Sequence, residues 1–172
     1  GSNNSQLVAG ESELRWAGSG SWINQLTLAS APPAWSYYTS LPYPGRTNGF
    51  IAAGYGGLMI CSSNNGTAPA WTSLSASVRS WLWGMTRTAD HYVAVGNFGT
   101  LMSSPDGINW TVELSPYTVT NSVLLGVGCN TNSGGYTLAV GTKGTMLWAT
   151  NSYLWFQLST LSTTNDLYNV LY

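Results

Sequence analysis

Charge is what this sequence has least of. Among 172 residues there are five Lys or Arg, six Asp or Glu and one His, for a formal net charge of −1. A nucleic-acid partner needs clustered cations along its phosphates, and the positive residues Arg15, Arg46, Arg79, Arg87 and Lys143 are scattered, so none is expected. A polybasic membrane surface is excluded on the same ground. No apolar run approaches the ~20 residues of a spanning helix, and membrane insertion is not expected either. Cysteine is almost absent. Cys61 and Cys129 stand alone, 68 residues apart, which indicates neither a zinc site nor a disulfide framework. Both sit in apolar, strand-like contexts and read as buried free thiols. No metal and no cofactor is expected.

Catalytic side chains are equally thin on the ground. His91 is the one histidine, placed in the turn before a strand, where an exposed turn residue is expected rather than a general base. No G-x-S-x-G elbow precedes a helix, and Gly54-Tyr55-Gly56-Gly57 joins two strands instead of opening a phosphate-binding helix. Glu11 and Glu13 could share one strand face but fit a solvated edge. The chain therefore reads as non-catalytic.

What the sequence has is aromatic surface and repetition. Nine Trp, ten Tyr and 44% hydrophobic residues are far more than a disordered chain carries. Four short apolar runs end in glycine: Leu7-Val8-Ala9-Gly10, Ile51-Ala52-Ala53-Gly54, Val93-Ala94-Val95-Gly96 and Leu138-Ala139-Val140-Gly141, their glycines 44, 42 and 45 residues apart. Another glycine (Gly57, Gly99, Gly144) follows three residues after each of the last three, then an apolar strand. Next comes a turn built on Asn64, Asp106 or Asn151, whose side-chain oxygen accepts from backbone N–H groups ahead of it. A tryptophan closes each copy, aligned as Trp35, Trp71, Trp110 and Trp155, with its ring expected between neighbouring sheets. One further strand precedes each glycine-ending run, as in Trp81–Met85, Leu124–Gly128 and Leu167–Leu171.

Four strands per repeat of roughly 43 residues, with turn signals throughout, read as an all-β fold of the β-propeller type. One domain spans residues 1–172, with repeats at approximately 5–46, 47–88, 89–132 and 133–172. Because the chain starts on a second strand and ends on a first, Leu167–Leu171 would complete the opening sheet and close four blades of four antiparallel strands. A fragment of a larger ring, or closure by oligomerisation, remains the alternative.

These residues resemble the Asp-box (BNR) repeat propellers, the group that includes sialidases and the photosystem-assembly-factor-like repeats. The resemblance covers most of the chain in pattern and is carried by the third and fourth copies. It departs from the family in running one residue shorter between Asp106 and Trp110. It implies a propeller with structural Asp-box turns. A sialidase would further need three clustered Arg, a Tyr nucleophile with a Glu partner and an Asp acid/base, and the four Arg here do not fall at equivalent repeat positions.

The remaining signal is the aromatics outside the repeat consensus. Trp22, Tyr37, Tyr38, Tyr43, Trp81, Tyr117 and Trp148 are the candidate ligand-binding residues, because an aromatic ring stacks on the C–H face of a sugar while amides and hydroxyls bond its OH groups. The expected partner is a glycan or a protein surface at an extracellular or particle exterior, with homo-oligomer or larger assembly left open.

Overall fold

A computed structural model describes residues 6–10, 13–17, 23–27, 37–43, 49–63, 70–74, 76–116, 119–130, 135–150, 154–158 and 163–171; for 6–10, 13–17, 23–27, 63, 70 and 71 it describes the backbone alone. These residues are almost free of helix and form antiparallel sheets. The first sheet has three strands, β1 (Gln6–Gly10), β2 (Glu13–Ala17) and β3 (Ile23–Thr27). Three four-stranded sheets follow. The second runs β4 (Tyr37–Pro42), β5 (Phe50–Gly54), β6 (Met59–Ser63) and β7 (Ala70–Leu74). The third runs β8 (Leu82–Arg87), β9 (Tyr92–Gly96), β10 (Leu101–Ser104) and β11 (Thr111–Val112). The fourth runs β12 (Leu124–Cys129), β13 (Thr137–Gly141), β14 (Met146–Ala149) and β15 (Phe156–Gln157). Each sheet is a meander in chain order.

The sheets stack through alternate residues. Side chains of a strand point to opposite faces, so Tyr92 and Ala94 of β9 join Ile51, Ala53 and Met59 in one cluster, while Val93 and Val95 join Ala139, Leu147 and Ala149 in another. The third sheet is thus buried on both sides, which is why β9 reads as an unbroken apolar run instead of an alternating one. Leu101 and Met102, neighbours on β10, face opposite clusters and are both fully buried. Each burial contributes about 1.5–3 kcal/mol.

Beside these face contacts, the first strands lie next to one another: β4 by β8 and β8 by β12. The approach is close at Gly126, where an added Cβ would lie 2.7 Å from the carbonyl oxygen of Tyr168. Residues 163–171 therefore pack on β12 much as β12 packs on β8, where Gly84 faces Gly126. Their approach also repeats. The Gly144 N–H donates to Asn165 O at 2.8 Å, as the Gly99 N–H does to Ser122 O in the preceding sheet.

One sequence expectation changes. Leu167–Leu171, expected as a strand, makes no ladder among the described residues; the four-stranded sheets already hold β5, β9 and β13 as the partners of their own first strands. Each four-stranded sheet opens in the tail of the preceding repeat, where β8 and β12 stand as the strands before the glycine-ending runs and β4 stands likewise. The register of the first sheet also bears on its tryptophan. Leu7 pairs with Trp16 as Val93 does with Ser103 and Leu138 with Trp148. Ile23 then pairs with Trp16 as Thr111 does with Ser103 and Phe156 with Trp148. By strand pairing the residue before Ile23 in the sequence, Trp22, stands where Trp110 and Trp155 stand before Thr111 and Phe156. Both Trp22 and Trp35 lie outside the described residues.

Candidate functional site

A register shift recurs at one place in the first strand of each four-stranded sheet. It falls between Tyr37 and Thr39 in β4, between Leu82 and Gly84 in β8, and between Leu124 and Gly126 in β12. The extra residues are Tyr38, Trp83 and Leu125. A bulge leaves one residue out of the ladder and re-aims its side chain. All three bulge residues line a single cavity of about 300 Å³, whose walls are Tyr38–Thr39, Trp83–Met85, Leu125–Val127 and, from the terminal segment, Tyr168–Asn169. No charged side chain is among these lining residues.

Around Tyr38 and Trp83 the aromatics gather. Their rings stack at 4.4 Å with 16° between planes. Trp81 sits 5.9 Å from Trp83 and 6.2 Å from Tyr38, and Tyr55 lies 4.8 Å from Trp81. The alternation of β8 accounts for part of this, because Leu82 between the two tryptophans is fully buried while Trp81 is 36% exposed and Trp83 half-buried. Trp83 is further held by its indole N–H, which donates to Asn97 Oδ1 at 2.7 Å. Asn97 opens the three-residue turn Asn97–Gly99, whose central Phe98 has φ 57° and stands 70% exposed. Left-handed backbone is unusual for such a residue and costs roughly 1 kcal/mol or more.

Of the candidate ligand-binding residues, Tyr38 and Trp81 come together here. Tyr37 and Tyr43 do not: they are 3% and 9% exposed, and their rings belong to the interior. Burial pushes the Tyr37 phenol up to about 12. Alternation explains the difference, since Tyr37 precedes the bulge that turns Tyr38 outward. Trp148 makes its ring contacts elsewhere, with Tyr136 at 6.0 Å and Phe156 at 5.4 Å on the outer side of the fourth sheet. Tyr117, like Trp22, lies outside the described residues. Trp83, Tyr55 and Tyr168 were not singled out as ligand-binding from sequence; the signal for Trp83 was the i, i+2 pair in Trp81-Leu82-Trp83, which on a strand puts two rings on one side.

The Asp106 turn has a different job. Asp106 Oδ1 accepts from Ile108 N–H at 2.9 Å, Asn109 N–H at 2.8 Å and the Ser104 hydroxyl at 3.0 Å, and Oδ2 accepts from Asn109 Nδ2 at 2.7 Å. Partial burial raises the carboxyl, but the bonds from Asn109, Ile108 and Ser104 outweigh it and hold it at about 2. A carboxylate so occupied is a poor proton donor near neutrality. Gly107 takes φ +73°, and Trp110, 7% exposed, packs in the cluster between the second and third sheets with its indole N–H on Gly107 O at 3.1 Å. Trp155 is 5% exposed in the next cluster along. The side chain of Trp71, on β7, is not among those described, and Asn64 and Asn151 lie outside the described residues.

His91, expected on the exterior, is 5% exposed. Its turn is closed by Thr88 N–H on His91 O at 2.8 Å, which draws the ring in beside Asp90 Oδ1, at 2.5 Å, and the Thr88 hydroxyl. The bond from Thr88 lowers the Asp90 carboxyl, with the His91 contact adding to it. Cys61 is buried and Cys129 half-buried, neither in a disulfide, and Cys129 donates to Arg87 O at 2.8 Å. Among the described residues no three His, Cys, Asp or Glu side chains gather to hold a metal, and no helix is long and apolar enough to cross a membrane. No protein-family model matches the chain, and no curated protein sequence matches it either.

Proposed function

We propose that the chain is a four-bladed β-propeller of Asp-box-like repeats acting as a non-catalytic binding module, which recognises a neutral carbohydrate at a cell or particle exterior. The observation that carries the reading is the cavity between the first strands. Its four walls are the same repeat position taken from β4, β8, β12 and residues 168–169, which supports a fourfold arrangement with the terminal segment in the place of a fourth first strand. Its rim supports a sugar. Tyr38 and Trp83 are among its lining residues, with Trp81 and Tyr55 next to them in the aromatic cluster, and Thr39 and Asn169 bring uncharged polar groups to a lining without formal charge. A neutral polyol needs that combination of flat apolar contact and uncharged hydrogen-bonding groups. The scarcity of acids and the single, enclosed histidine favour binding over turnover.

A glycan array followed by titration tests this. Reproducible binding at millimolar or better affinity, weakened about tenfold in Trp81→Ala, supports the carbohydrate reading; no binding to any neutral glycan contradicts it.

A second reading, an assembly scaffold, is favoured by one specific feature. The outer side of the fourth sheet presents Tyr136 and Phe156, 51% and 44% exposed, beside Trp148, and such aromatic surface is enriched at protein interfaces. Concentration-dependent self-association in sedimentation, lost on Phe156→Ser, would support that reading.

A further inference from the structure

We infer that the sugar is held at the turn Tyr55–Gly57 of the second sheet, stacked in the corner between Tyr55 and Trp81, and that Gly56 is the position that keeps this corner open. The inference rests on the carbohydrate reading and gives it a place outside the cavity between the first strands.

Comparison of the sheets locates the site. In each four-stranded sheet the second strand ends in a three-residue turn, Tyr55–Gly57, Asn97–Gly99 or Thr142–Gly144, whose central residue is left-handed: Gly56 at φ 61°, Phe98 and Lys143 at φ 57°. The tip therefore does not demand glycine, since two of these three turns carry a long side chain there in spite of the strain. Among the described turns Gly56 alone leaves the tip bare. A Cβ added to it would meet nothing within 4 Å, and a groove of about 220 Å³ runs past it, lined by Tyr55, Gly56, Gly57 and Leu58. The exposed lining of that groove is mainly apolar.

Tyr55 joins the groove to the aromatic cluster. Its ring lies 4.8 Å from that of Trp81 with 41° between planes, so the two form an angled corner, whereas Tyr38 and Trp83, at 16°, cover each other. Trp81 is the most exposed of these four rings. Both sides of the corner stand on fixed backbone. Leu58 N–H donates to Tyr55 O at 3.0 Å and closes the turn, while Asn97 N–H donates to Trp81 O at 2.9 Å. Gly57 packs so tightly on the segment before Trp81 that an added Cβ would lie 2.0 Å from Val78 O. A ligand bound there orders little protein, which keeps the entropic cost of binding low. The chemistry suits a neutral pyranose, whose C–H face meets flat rings and whose hydroxyls meet the Tyr55 phenol and the backbone of an exposed turn. Arg79 borders the turn, its Cα 3.5 Å from a Cβ placed on Gly57, and makes an acidic sugar the necessary control.

The experiment titrates the full chain with methyl glycosides of neutral hexoses, of N-acetylhexosamines and of a hexuronic acid, with binding read by ligand-observed NMR. Variants are Gly56→Lys, which copies the tip of the fourth sheet, Trp81→Ala, and the pair Thr39→Val and Leu125→Ala, which alter the cavity between the first strands; thermal melts check that each folds. Expected are binding of at least one neutral glycoside, about tenfold weaker binding in Gly56→Lys and in Trp81→Ala, and binding within about twofold of the parent in Thr39→Val and Leu125→Ala. Should Gly56→Lys not fold, Gly56→Asn takes its place, because asparagine tolerates left-handed backbone, with about fivefold weaker binding expected. Binding of a neutral glycoside that the Gly56 variant leaves within about twofold, or that Thr39→Val or Leu125→Ala weakens as much as the Gly56 variant does, overturns the corner and leaves the carbohydrate reading standing. Tighter binding of the uronide than of every neutral glycoside overturns the uncharged chemistry assigned to both. Failure of every glycoside to bind the unaltered chain overturns both outright.

Discussion

Replacing Asp106 with Ala tests what the turn does. The substitution removes the acceptor of Ile108 N–H, Asn109 N–H, Asn109 Nδ2 and the Ser104 hydroxyl, at 2.9, 2.8, 2.7 and 3.0 Å. A carboxyl held at about 2 instead of 3.8 corresponds to about 2 kcal/mol at 1.36 kcal/mol per unit. Solvent screening of so open a group reduces this to about 1 kcal/mol. Losing an Asx-type cap adds a cost within the usual range of about 0.5–2 kcal/mol, partly the same energy counted from the backbone side. The expected loss at neutral pH is therefore about 1–2 kcal/mol, or roughly 2–8 °C in Tm for a domain of this size. The folded carboxyl ionises at lower pH than the unfolded one, so its stabilisation is complete above about pH 4 and is lost as pH falls through about 2. Paired denaturant melts of the parent chain and Asp106→Ala from pH 7 down to pH 2 should show the gap between them closing over that window. A gap of equal size at both ends, or no gap at all, would refute the assignment of Asp106 to turn closure.

Four other outcomes follow from the packing. Gly126→Ala drives a methyl to 2.7 Å from Tyr168 O and should cost about 1–3 kcal/mol in thermal melts, with Gly84→Ala, whose nearest neighbours are at 3.3 Å, costing less. Trp110→Ala empties the cluster between the second and third sheets and should cost about 3–5 kcal/mol by denaturant titration. Trp83→Phe releases Asn97 Oδ1 and should cost about 0.5–1.5 kcal/mol while shifting the backbone amide signals of the Asn97–Gly99 turn. In alkaline absorbance titration a tyrosine ionising near pH 12 should vanish in Tyr37→Phe; because the unfolded chain ionises this phenol first, near 10, the fold should weaken as pH rises through that interval.

The legible parts of the fold were those in which one strand carries its own signal. The glycine-ending runs became β1, β5, β9 and β13, and the strands after the second glycines became β6, β10 and β14, because runs of apolar residues buried on both faces, as in β5, β9 and β10, or on alternate positions, as in β14, carry their own strand signal. In the first copy residue type alone matches a tryptophan at any spacing, and strand pairing is what brings Trp22 into comparison with Trp35. The bulges were invisible for a related reason. A single extra residue changes no composition, yet it separates buried Tyr37 from Tyr38, and so separates interior from candidate site. His91 was misjudged because enclosure depended on the closing bond from Thr88, a tertiary outcome with no local pattern. Tyr168 and Asn169 entered the cavity through the packing of the terminal segment on Gly126, which no repeat alignment reveals.

That terminal segment carries the proposal of a ring closed within one chain. Native-state hydrogen exchange of the amides from Leu167 to Leu171 examines it most directly. If these residues pair with β1 in solution, a ladder that the described residues do not show, alternate amides there should exchange as slowly as those of β8 and β12, and should be lost only in global unfolding. Exchange within seconds across all five, with β8 and β12 still protected, would contradict closure.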